Sequence, residues 1–151
     1  MSKITVKTSE TTFEDVSSLG VNGALISCDV ALIKPMRVQR LRKKGFKLQE
    51  ASRSGLPVVY VGRPTKWGNP FKVLFEKGYW VVRDKAGNYW SRLYTEKEGA
   101  AERAVECYSG WIDGQIGLDL KELKGKDLAC FCSLSCDCHA DVLLKRVTRT
   151  L

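Results

Sequence analysis

The sequence predicts a small single-domain α/β protein, with one sheet, flanking helices, a β-hairpin insertion and a basic N-terminal extension. Two apolar strand-length runs, Leu56–Val61 and Lys126–Cys132, lie either side of a stretch of helical periodicity from Glu96 to Ile112. A second helical stripe, Ala140–Val147, follows the later run. At 151 residues the chain is long enough for one domain with a real core and too short for two of ordinary size. The expected division is an extension over 1–55, carrying a basic segment at 34–53, and a compact domain over 56–151.

Residues 1–33 read as a β-rich or partly disordered leader, with an alternating Ile4–Val6 and an apolar Ala24–Ile33. Cys28 in that run is expected to be a small buried hydrophobe. Met1–Asp15 is rich in Lys, Thr, Ser and Glu, so neither a signal peptide nor a membrane span is expected, and the protein is assigned to the cytoplasm. There, six cysteines are expected as reduced thiols serving a metal or chemistry rather than as three disulfides.

The net charge is +8, and nearly all of it is concentrated in one window. Lys34, Arg37, Arg40, Arg42, Lys43, Lys44, Lys47 and Arg53 face Glu50 alone. Such a patch suits a polyanion, whose phosphates give sequence-independent affinity through counterion release. Arg37, Arg40, Arg42, Lys43, Lys44 and Lys47 are therefore candidate nucleic-acid contacts, with an acidic host protein as the other partner of matching chemistry. Met36, Val38, Leu41, Phe46 and Leu48 are interleaved with the charges. The segment is expected as a short amphipathic helix laid on the domain, or as an arm that orders on a nucleic acid.

Leu56–Val61 is a continuous β-branched run of the kind buried on both faces of an α/β sheet. It ends at Gly62-Arg63-Pro64-Thr65-Lys66-Trp67-Gly68-Asn69-Pro70-Phe71, whose glycines, prolines and asparagine enforce an irregular, tightly turned loop. A loop at the carboxyl end of such a strand is where open α/β sheets place ligands. Arg63 and Lys66 suit phosphate or carboxylate, Trp67 suits stacking on a ring, and Asn69 offers donor and acceptor together. Phe71 is expected in the core. Tyr79–Arg83, a turn at Asp84–Asn88 and Tyr89–Trp90 read as a hairpin. In the helical stretch, Ala100, Ala104, Tyr108 and Ile112 repeat at helical steps, Cys107 flanks the stripe, and Arg103 lies off it as a possible anion ligand.

Cys130, Cys132, Cys136, Cys138 and His139, the only histidine, fall within ten residues between the last strand and the last helix. Spaced C-x-C-x3-C-x-C-H, they offer the three or four donors a zinc ion takes: Cys130, Cys132 and Cys138, with either Cys136 or His139. Cys138 also precedes a helix N-terminus, whose amides and dipole favour a thiolate. The competing chemistry is a nucleophilic or redox thiol at Cys138, with His139 or Asp141 as proton partner. Asp141 is expected to cap the helix or to orient His139.

The G-R-P-T-K-W-G-N-P-F loop and K-G-K-D-L-A-C-F-C…C-H-A-D-V-L-L together resemble the domain-of-unknown-function family DUF4326, found in bacteria and their phages. The family pattern is a G-R-P-x-x-W-G-N-P-F loop, an Arg/Tyr/Trp-bearing helix, then G-K-x-L-x-C-x-C and C-H-x-D-x-L; Arg103, Tyr108 and Trp111 stand suitably between the motifs. This chain departs from it in Cys136, in Phe131 where Trp is frequent, and in the basic leader. The resemblance implies a compact α/β unit in which the first loop and the Cys/His loop meet in one site, and it brings no reaction with it. Two functions fit. One is a phage-related nucleotide or nucleic-acid phosphate binder with a metal-supported pocket, possessing or lacking an enzymatic step. The other is a non-catalytic zinc-stabilised module that binds through the basic segment.

Overall fold

The computed structural model describes residues 33–149. The readings for Ile4–Val6 and Ala24–Ile33, Cys28 included, lie outside the described residues but for Ile33. The compact unit containing the site begins at Pro35, so residues 35–55, assigned from sequence to an extension, are packed as part of it.

Three short parallel strands form the sheet, β1 (Arg37–Gln39), β2 (Val58–Tyr60) and β5 (Asp127–Cys130), in the order β1-β5-β2. Every residue of β5 is buried, whereas those of β2 are only partly so. The strand covered on both faces is thus the later run, and Leu56–Val61 supplies an edge strand instead. In register, Val38 and Tyr60 both stand beside Ala129. No amphipathic helix or free arm forms from the basic segment, because its Arg37–Gln39 pairs with β5 and the chain then turns through a short 3-10 turn at Gln49–Ala51.

A buried carboxylate fastens this segment. Asp127 is fully enclosed; it accepts from the Met36 amide at 2.9 Å and from the Ser52 and Ser54 hydroxyls at 2.6 Å each. Three donors, one from just before β1 and two from beyond the 3-10 turn, converge on the first residue of the central strand, satisfying a charge that would otherwise be costly to bury.

The hairpin is β3 (Lys72–Glu76) with β4 (Tyr79–Arg83), one strand earlier than the sequence suggests. Its two-residue turn is Lys77-Gly78, both at positive φ (51° and 88°), the type I′ backbone that matches strand twist. The expected turn at Asp84–Asn88 also forms, stapled by Asp84, and brings Tyr89 back beside Arg83. Helix α1 (Lys97–Asp113) buries Ala100, Ala104, Tyr108 and Ile112, the i, i+4 stripe expected of it. Helix α2 (His139–Arg149) buries Ala140, Val142, Leu143 and Val147. Arg146 locks the two helices together through a forked pair to Asp113, at 2.6 and 2.8 Å. Among the described residues no helix is long and apolar enough to cross a membrane.

Candidate metal centre and adjoining cavity

β5 ends at Cys130, and this ending brings the thiols together. Along a continued strand Cys130 and Cys132 would point the same way about two residues apart. Once the strand has stopped, Cys132 turns back and its Sγ lies 3.6 Å from that of Cys130. Cys138 arrives from the other side, at the mouth of α2, where the Ala140 amide donates to its sulfur at 3.4 Å. The sulfurs of Cys130, Cys132 and Cys138 all lie within 4.8 Å of one another, a group able to hold a metal ion. Cys136 is exposed and stands apart from this group.

Electrostatically the three thiols behave as one unit. Hydrogen bonds from Cys130 and Cys132, helped by His139, pull Cys138 far down towards thiolate. Cys132 is pushed up by its bonds to Cys130 and Cys138 and by burial. Protons shared among close-packed buried sulfurs are what a cation displaces. Burial opposes a charge on His139, but the sulfurs of Cys130 and Cys138 outweigh it and hold the group at about 10. The ring is oriented by the Val61 carbonyl, 2.9 Å from Nε2, and not by Asp141. Asp141 instead pairs with Arg37 at 3.4 Å, and burial pushes its carboxyl up.

Arg37, grouped from sequence with outward-facing basic residues, is turned inward, its side chain 8% exposed. One terminal nitrogen donates to the Leu134 carbonyl at 2.7 Å; the other is buried with no nitrogen or oxygen partner, and the guanidinium lies against Cys138. Arg40 and Arg42 lie over aromatic faces, Arg40 on Tyr60 and Arg42 on Phe131, at 4.7 and 4.4 Å. Lys43, Lys44 and Lys47 remain exposed, Lys47 paired with Glu50.

The first loop is held shut by its own backbone: Thr65 donates to Gly62 and Gly68 donates to Thr65, each at 3.0 Å. A Cβ on Gly68 would stand 2.9 Å from the Arg63 backbone nitrogen, so only glycine permits this closure. Trp67 is 4% exposed and belongs to the core, its carbonyl taking the Tyr108 hydroxyl at 2.7 Å; its ring is not open to a ligand. Lys66 is engaged with Glu122 at 2.7 Å. Asn69 uses its donor and acceptor internally, giving to Ala104 O at 3.1 Å and taking the Phe71 amide at 2.9 Å. Arg63 bonds the Asn69 carbonyl at 3.1 Å and is otherwise exposed.

Both loops nevertheless meet. A cavity of about 430 Å³ is lined by Arg63 and Asn69 of the first loop and by Cys130, Cys132, Cys138 and His139 of the second. Arg42, Lys97 and Asp137 add the remaining charges. It opens past the carboxyl ends of β2 and β5, where parallel sheets receive ligands. Arg103 lies outside this cavity, bonded to Trp90 O and Glu106 beside a second hollow of about 690 Å³.

A family model described as Domain of unknown function (DUF4326) matches residues 38–149, most of the chain and both loops. The protein belongs to the DUF4326 family. No curated protein and no solved structure gave a significant match. The matched range of this DUF4326 domain starts inside β1, consistent with the basic segment being built into the fold. Sequence reasoning missed Lys97 in the cavity, the inward turn of Arg37, and Asp127. Of these only Asp127 carried a signal, as an acid opening an apolar strand.

Proposed function

We propose that Cys130, Cys132 and Cys138 hold a zinc ion and that the domain is a metal-supported module binding a nucleotide or a nucleic-acid phosphate group in the adjoining cavity. The donor set favours zinc, a borderline-soft ion that thiolates bind in tetrahedral array without redox chemistry. The observation that carries the ligand reading is the cavity itself. Arg42, Arg63 and Lys97 reach it from three separate elements, and no ion pair is formed by any of them among the described residues. Only Asp137 and the cluster oppose them, so the lining favours an anion. Its volume lies within the range of small-molecule sites.

Cys138 and His139 act in this reading as parts of the metal centre and not as nucleophile and base. Their proximity to two further sulfurs is the reason. The test is titration calorimetry of zinc-loaded protein with mononucleotides and short oligonucleotides at two salt concentrations. Binding weakened at least about tenfold by Arg63→Ala or Arg42→Ala supports the cavity. Binding indifferent to both but abolished on neutralising Lys43, Lys44 and Lys47, with a steep salt slope, transfers the function to the exposed basic turn.

A further inference from the structure

We infer that Nδ1 of His139 is the fourth zinc donor, making a closed Cys₃His centre. The inference rests on the zinc reading above and extends it to the role of the metal. A carbonyl only accepts, so the 2.9 Å contact with Val61 O places a hydrogen on Nε2. Once a cation has displaced the protons of the cluster the ring is neutral, and its lone pair sits on Nδ1. Nδ1 is 3.7 Å from Cys138 Sγ, and the ring also interacts with the Cys130 sulfur. The ring is 6% exposed and packs edge-on to Tyr108 at 5.2 Å, which is itself tied to Trp67. In the metal-free chain Nδ1 shares a hydrogen bond with the Cys138 sulfur; a cation on the sulfurs releases that proton and takes up the freed lone pair. A carbonyl bonded to the far ring nitrogen is also the usual outer partner of a metal-bound histidine.

The spacings agree. Ordinary zinc bond lengths put two bound sulfurs about 3.8 Å apart and a sulfur and an imidazole nitrogen about 3.6 Å apart in a tetrahedron. The observed separations are 3.6 Å for Cys130–Cys132 and 3.7 Å for Cys138–His139. The imidazole stands outside the mutually close sulfur trio, on the side of Cys130 and Cys138, so ligation requires it to close over Cys132. Cys136, the other candidate, is exposed and separate from the trio. Three thiolates and a neutral imidazole leave a divalent centre with one net negative charge. The buried guanidinium of Arg37, which lies against Cys138, offsets it.

Four protein donors leave no position for water or substrate. The metal then builds the cavity wall, and the ligand meets Arg42, Arg63 and Lys97. X-ray absorption at the zinc edge of the full chain, with metal content measured alongside, tests this. One zinc per chain with three sulfurs and one imidazole nitrogen is expected. His139→Ala should weaken zinc binding by more than the roughly 10- to 100-fold that loss of an outer partner costs, and His139→Cys should restore it. A shell of three sulfurs with a water oxygen, or of four sulfurs, overturns the assignment of His139 while leaving zinc in place. Absence of bound zinc overturns both readings. The wild-type spectrum decides even if the variants fail to fold.

Discussion

Replacing Asp127 by alanine tests how the basic segment is attached to the domain. The carboxylate takes three donors, the Met36 amide and the hydroxyls of Ser52 and Ser54, and is fully enclosed. After truncation the two hydroxyls, 3.1 Å apart, can turn to one another. The Met36 amide cannot re-aim, and an unsatisfied buried donor costs about 1–3 kcal/mol. The charge-assisted character lost from the two hydroxyl bonds adds about 1 kcal/mol each. The total is about 3–5 kcal/mol, a large share of the roughly 5–15 kcal/mol that holds a domain together. For a domain of this size that lowers Tm by roughly 12 °C. Denaturant unfolding gives the stability, and amide exchange gives its location, with protection lost first across residues 36–54. Because Arg37 follows Met36 directly, zinc affinity should fall as well. A loss below about 1 kcal/mol, or a larger loss with exchange in 36–54 unchanged, would refute the reasoning. Glu122→Ala, which breaks only the exposed pair with Lys66, should stay within about 1 kcal/mol.

Single Cys→Ser changes at 130, 132 and 138 should each cut bound zinc sharply, whereas Cys136→Ser should leave one zinc per chain, read by metal analysis. Trp67→Ala, emptying a core position, should cost about 3–5 kcal/mol in denaturant unfolding, whereas Lys66→Ala should be nearly silent; a silent Trp67→Ala would return that ring to the ligand surface. Hydrogen bonds from Asn88 and Trp90 hold the Asp84 carboxyl down at about 2. A depressed acid contributes stability above the unfolded value of about 4, losing it as the pH falls towards 2. Asp84→Asn should accordingly flatten the acid side of the stability profile, and an NMR titration of the Asp84 carboxyl with a midpoint near 4 would remove the basis for that expectation.

The sequence by itself determined the elements whose signals are local. Helical spacing located α1 within a residue at each end, and the apolar run Lys126–Cys132 located β5, which stops at Cys130. The cysteine cluster was legible as a group able to hold a metal ion, since close spacing of thiols needs no tertiary information. The order of strands depended on long-range pairing, and periodicity cannot say which of two apolar runs lies at the centre. Only the tertiary structure placed β5 between β1 and β2, and thereby buried Arg37 beside sulfur. Partner choice was equally invisible: Trp67 and Asn69 carry the residue chemistry of ligand binding, yet the core and the backbone of α1 take up those groups first. Likewise the selection of three sulfurs from four depended on where β5 stops and α2 begins, because those two ends aim Cys130, Cys132 and Cys138 at one point and leave Cys136 in solvent.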